Sequence, residues 1–165
     1  MLIRRSRKHY LLIPVVLLAV LVVGCIAIIN HYYSPVLVDD GVRKELTYDG
    51  KIRTFVEELS NTGDPLFEYE YVVLDRGAES AEAAIRGQVA RMQRSGWRLD
   101  SDGPELWYLS SDRHQTVAYV RSLTRFLAEW RSDYGIYPEQ RAANKIYEAV
   151  GDSASLIVIT LRHFG

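Results

Sequence analysis

From Leu11 to Ile29 the chain runs for 19 residues without a charged side chain, close to the roughly 20 that an α-helix needs to cross a hydrocarbon core. Apolar residues stand on every side of such a helix, which a globular helix with one solvent face does not require. Pro14 falls in the first turn of the run, where a missing N–H costs little. Arg4, Arg5, Arg7 and Lys8 precede it, and no Lys or Arg follows before Arg43. That asymmetry predicts a cytoplasmic N-terminus and an extracytoplasmic C-terminal part. His31, Tyr32 and Tyr33 supply polar-tipped aromatic rings suited to the outer interface. The expected organisation is a basic cytoplasmic segment over 1–10, a single transmembrane helix over 11–29 embedded in the lipid bilayer, a stalk over 30–41 and an extracytoplasmic domain over 42–165.

Within the run, Val22–Cys25 (VVGC) resembles the lipobox of bacterial lipoproteins. The resemblance implies cleavage before Cys25 and a lipid on its sulfur. The next residues depart from it, because Ile26, Ala27, Ile28 and Ile29 prolong the apolar stretch. Each isoleucine near the centre of a span favours insertion by about 0.3–0.6 kcal/mol. An uncut anchor is therefore expected, with a lipoprotein carried on Cys25 as the alternative. Both tether the C-terminal part to the outer face of the cell membrane.

That part has the size of one domain and needs no covalent staple to bury a core. It has no cysteine, since the chain's single one is Cys25. All 21 acidic residues lie in it, and four of the 20 basic ones do not. The resulting acidic balance argues against nucleic acid and against an anionic membrane surface as partners.

Apolar spacing predicts the elements. Ile52, Phe55, Val56 and Leu59 recur at i, i+3, i+4 and i+7, which predicts a one-faced helix ended by Asn61–Pro65. Leu66–Asp75 alternates as a strand, half exposed at its start and buried at its end. Ser80 is placed to cap a helix reaching about Ser95, with Ile85, Val89 and Met92 on its apolar stripe and Gly96 as its stop. Trp97 and Leu99 begin a short strand, broken by Ser101–Pro104. ELWYLSS and QTVAYVR form a hairpin around Asp112–His114. Ser122 caps a helix carrying Leu123, Phe126, Leu127 and Trp130, and Pro138 opens a last helix closed by Gly151. The apolar SLIVITLR predicts a strand inside the sheet. Together these give an α+β domain of two layers: one mixed sheet, with a right-handed β–α–β start and helices packed mainly on one face.

The order of elements over Leu66–Leu161, with Gly96–Trp97, LTRFLAEW, the Pro-started helix and the terminal LIVITL, is similar to that of small uncharacterised lipoproteins and membrane-anchored proteins of actinobacteria. The resemblance implies a single extracytoplasmic α+β domain and carries no activity with it.

Motifs for chemistry are weak. His31, His114 and His163 have no ligand partner at helical spacing, so no metal is expected. Asp100–Glu105 opens like a calcium loop, but Ser111 stands where the closing glutamate belongs. Ser110, Ser111, Asp112 and His114 lie close in sequence without a nucleophile elbow, and read as turn formers at a hairpin tip. Glu68 and Glu70 share one strand face and read as exposed carboxylates rather than an acid–base pair. No phosphate-binding or dinucleotide motif occurs, and no cofactor is expected. Of the aromatic residues, Tyr134 and Tyr137 lie in a loop and are the best candidates for a contact patch. The expected function is a non-catalytic interaction or regulatory module whose partner is another envelope protein. The alternative is a small-ligand-binding envelope lipoprotein lipidated at Cys25.

Overall fold

The computed structural model describes residues 8–33, 37–60, 67–103 and 106–164, with the side chains of the first helix described over 14–28. The chain divides into two units, Met1–Ser34 and Pro35–Gly165. The first holds α1 (Lys8–Tyr33), whose described apolar side chains, such as Val15, Leu18 and Leu21, are exposed. The described side chains span less than the roughly 20 residues of a membrane helix, and among the described residues no helix is long and apolar enough to cross a membrane.

The second unit runs α2 (Asp40–Thr47), β1 (Lys51–Leu59), β2 (Glu68–Asp75), α3 (Ala81–Arg94), β3 (Arg98–Asp102), β4 (Trp107–Ser111), β5 (Thr116–Ser122), α4 (Leu123–Trp130), α5 (Pro138–Val150) and β6 (Ile157–His163). The strands form one sheet in the order β1-β2-β6-β5-β4-β3. Every neighbouring pair is antiparallel. The α+β class holds, but the expected mixed sheet does not. After α3 the chain enters β3 at the far edge rather than beside β2, so no parallel β–α–β unit forms. β6 then fills the gap between β2 and β5, which explains its apolar composition.

The expected placement of helices mainly on one face is also corrected. Successive strand residues point to opposite faces, and β6 serves both. Ile157, Ile159 and Leu161 join Val42, Leu46, Val89, Met92 and Trp97 in one core, which α2 and α3 cover. Val158 joins Val56, Tyr71, Val73, Phe126, Leu127 and Ile146 in a second core, which α4 and α5 cover. The domain therefore has three layers, helices–sheet–helices.

Local chemistry explains most of the elements. Ser80 and Ser122 accept from the backbone N–H of Ala83 and Arg125, capping α3 and α4. Pro138 opens α5, and Gln140 reaches back to accept from the N–H groups of Ile136 and Tyr137. Gly96, with φ +93, ends α3 in the left-handed region that costs glycine least.

Residues 51–59, expected as a helix, are β1. Ile52, Thr54, Phe55 and Val56 are β-branched or aromatic and favour the pleated surface, and two of the four residues in the apparent helical stripe, Ile52 and Leu59, are exposed. Val56 and Glu58 are the buried positions, two apart as a strand requires. The expected stop at Asn61–Pro65 lies outside the described residues. Gly50 lets the chain enter β1 close to Leu74, where a Cβ would lie 2.9 Å from the leucine Cδ1. The stretch expected as a stalk ends in structure instead. Val38 is buried in the first core, and Asp39 caps α2 by accepting from Gly41 N–H at 2.8 Å.

Candidate functional site

The α2/α3 side binds its polar groups to one another. Glu70, read from sequence as exposed, has its side chain 1 % exposed and is gripped by Arg43 through Nη2 at 2.7 Å and Nε at 3.1 Å. Burial pushes the Glu70 carboxyl above its ordinary value, and the Arg43 hydrogen bond opposes this only in part. Arg43 also lies 4.0 Å over the Phe55 ring. Arg76 donates to Gln88 Oε1 and to the carbonyls of Leu46 and Tyr48, satisfying the C-terminal end of α2.

The hairpin residues Ser110–His114 do not assemble a nucleophile. His114 turns away to Glu45, Nε2 to Oε2 at 3.2 Å, and stacks on Trp97 with ring centroids 6.0 Å apart. Trp97 Nε1 donates to the other oxygen of Glu45 at 3.1 Å. Ser110 accepts from Arg98 at 3.0 Å, while among the described residues Ser111 meets His114 through backbone alone. Asp100 is held by Arg98 at 2.6 Å, which lowers its carboxyl below the ordinary range. Among the described residues no group of three His, Cys, Asp or Glu side chains is placed to hold a metal.

The opposite side is less closed. Strand register sets residues there in rows. Val56, Tyr71, Thr160, Tyr119 and Tyr108 follow one another across β1, β2, β6, β5 and β4, and Tyr69, Arg162, Val117 and Ser110 form the next row. Helices α4 and α5 close over Val56, Tyr71 and Val158. Beyond them Tyr69, Tyr108, Tyr119 and Arg162 are only half-buried. A cavity of about 130 Å³ lies at the step between covered and open sheet, walled by Tyr69, Tyr119, Arg121, Phe126, Trp130, Glu139, Thr160 and Arg162. Arg121 gives Nη1 to Glu129 at 2.9 Å, and burial lowers its pKa. Burial likewise raises the Tyr119 phenol. The Nε of Arg121, the Nε1 of Trp130 and the Oη of Tyr71 are buried and find no hydrogen-bond partner among the described residues.

The predicted contact residues lie on the α4–α5 loop. Tyr134, Ile136 and Tyr137 are 74 %, 64 % and 49 % exposed. Tyr134 borders a surface hollow of about 870 Å³ with Leu127, Arg131, Asn144, Tyr147 and Glu148, and Tyr137 is outside its wall. Arg131 caps the Tyr147 ring at 3.6 Å. Cys25 is a free, exposed thiol on α1.

Sequence reading missed Arg121, Arg162, Tyr69, Tyr119 and Trp130 as a group. The signal was there in two strands: Tyr119 and Arg121 share a face of QTVAYVR, and Thr160 and Arg162 interrupt an otherwise apolar strand at alternate positions. No family model, no curated protein and no solved structure matches the chain.

Proposed function

We propose that this chain is a single-pass, membrane-anchored protein of the cell envelope whose extracytoplasmic domain contacts another envelope protein and performs no chemistry of its own. The exposed loop carries this reading. Two tyrosines and an isoleucine stand in solvent within four positions, Tyr134 to Tyr137, beside a hollow large enough to receive side chains. Tyrosine combines a large apolar ring with a polar tip and loses little conformational entropy when it is fixed. Glu70, Glu45, His114 and Asp100 are each held by an internal partner rather than arranged as a nucleophile and base, which favours recognition over catalysis.

A photo-crosslinking residue at Tyr134 in intact cells is expected to yield a discrete protein adduct. Loss of that adduct in Ile136→Ala plus Tyr137→Ala, at unchanged protein level, supports the reading. An adduct-free Tyr134 position overturns it.

The anchor is residues 11–29 with the N-terminus in the cytoplasm, supported by the apolar length and by Arg4, Arg5, Arg7 and Lys8. A reporter fused after Gly165 is expected to work only outside the cytoplasm. Cys25→Ser is expected to leave the protein membrane-bound at a mass lower by the sulfur-for-oxygen exchange alone. A wild-type mass carrying a diacylglyceryl group and lacking residues 1–24 replaces the uncut anchor with the lipoprotein alternative.

A further inference from the structure

We propose that the cavity between Arg121, Arg162 and Trp130 is a binding site for a small ligand bearing a single carboxylate. The site is separate from the Tyr134 loop and stands whether or not that loop contacts a protein. The first ground is a surplus of donors. The Arg162 guanidinium has as its sole hydrogen-bond partner among the described residues the Tyr69 hydroxyl, at the limiting distance of 3.5 Å. Arg121 Nε and Trp130 Nε1 are buried without a partner among the described residues. Buried donors are nearly always satisfied, and leaving one unmade costs about 1–3 kcal/mol. Three residues with donors to spare line one wall system of about 130 Å³, room for roughly four waters at about 30 Å³ each.

The second ground is charge. Arg121 is balanced by Glu129 at 2.9 Å. Arg162 makes no ion pair among the described residues, although it shares the cavity wall with Glu139. Glu139 on the same wall already offsets one guanidinium charge, so a ligand is held by the fork of Arg162 and the spare donors rather than by a net positive field. A monocarboxylate meets the Glu139 charge once and a dianion twice, so the site favours a carboxylate over a phosphate. The guanidinium fork of Arg162 suits the two oxygens of a carboxylate, and the rings of Tyr69 and Tyr119 supply the apolar walls typical of small-molecule sites.

The full-length protein in detergent micelles, labelled with ¹⁵N at its indoles, tests the proposal. The Trp130 Nε1–H resonance is assigned by its loss in Trp130→Phe. Acetate and N-acetylalanine are expected to shift this resonance saturably at constant ionic strength. Inorganic phosphate is expected to bind more weakly, and N-acetylalaninamide, which lacks the charge, to leave the resonance in place. Arg162→Gln is expected to weaken acetate by at least about tenfold, while Arg98→Gln, on the open sheet beyond the cavity, leaves it unchanged. Should Arg162→Gln fail to fold, Arg162→Lys keeps the charge without the fork and is expected to bind acetate more weakly than wild type. The proposal fails if no anion saturates the shift, if the amide binds as the acid does, if phosphate binds tighter than acetate, or if neither Arg162 variant weakens acetate.

Discussion

The two faces of the sheet differ in how completely they partner their buried polar groups. Under α2 and α3, the groups that enter the core meet partners: Glu70 meets Arg43, Gln88 meets Arg76 and the Leu46 carbonyl, and Trp97 meets Glu45. Under α4 and α5, Glu58 is held by Arg141 and Lys145, but Tyr71 Oη, Arg121 Nε and Trp130 Nε1 are left unbonded by the described residues. Arg91 Nε and His163 Nδ1 are the counterparts on the first side, and Arg91 is bonded there through Nη1 to Tyr48 and Asp49. A closed network holds α2 and α3 onto the sheet and fixes one arrangement of the core. Spare donors beside an incompletely covered sheet leave capacity for a ligand. If the proposed ligand site holds, fold and recognition divide between the faces.

The largest expected effect breaks the closed face. Arg43→Ala strands the Glu70 carboxylate, whose side chain is 1 % exposed. Removing one partner of a buried pair costs about 3–5 kcal/mol, and the lower end applies because Arg43 is 27 % exposed. Denaturant unfolding of the full chain in micelles measures this. A loss under about 1 kcal/mol would place the pair with ordinary surface bridges. The pH dependence carries the same information. Because its folded pKa is raised, Glu70 holds its proton more tightly in the folded state than in the unfolded one. Its contribution to stability is then greatest below the ordinary value of 4.5, falls as pH rises through the raised folded value, and is constant above it. The wild type minus Glu70→Gln difference is expected to fall over that window. In the Arg43→Ala background the fall extends to higher pH, since the opposing hydrogen bond is gone.

Next in size is a matched pair of substitutions across the sheet. Trp97→Phe deletes an N–H bonded to a carboxylate, an interaction worth about 1.5–3 kcal/mol, and also shrinks a side chain only 3 % exposed. Trp130→Phe deletes an N–H that the described residues leave unbonded, and is expected to stay within about 0.5 kcal/mol of wild type. Equal losses would erase the distinction between the faces.

How far the sequence foretold this division follows from the kinds of signal involved. Caps and stops are local, so Ser80, Ser122, Pro138, Gly96 and Gly151 placed α3, α4 and α5 well. The Ile85–Val89–Met92 stripe needs a large residue against it, and Trp97, just past the Gly96 stop, is buried there. Residues 51–59 failed because a nine-residue segment can satisfy a helical spacing by chance, while its β-branched content pointed the other way. α2 was missed because its apolar face is only Val42 and Leu46. Sheet order and the two-sided cover depend on which distant strand β6 joins, and no local pattern encodes that choice. The cavity was hidden for the same reason, since its walls come from β2, β5, β6, α4 and α5 and converge only after β6 is seated.

The smallest expected effect is the sharpest test of the open face. Tyr71 is fully buried, stacks beside Tyr69 with centroids 6.4 Å apart and tilts against Phe126 at 5.7 Å. Its ring is core, but its hydroxyl has no partner among the described residues. Tyr71→Phe keeps every ring contact and removes only the hydroxyl. Deleting a buried hydroxyl that has a partner ordinarily destabilises by about 1 kcal/mol. Here the desolvation cost disappears with the group, so the variant is expected to be neutral or up to about 1 kcal/mol more stable. Thermal unfolding at a pH well below the phenol's titration, which burial moves upward, reads the difference without a change of charge. A clear loss of stability would show that the hydroxyl is bonded in the folded protein. The α4/α5 face would then be more nearly closed, and the contrast between the faces would rest on Arg121 and Trp130 alone.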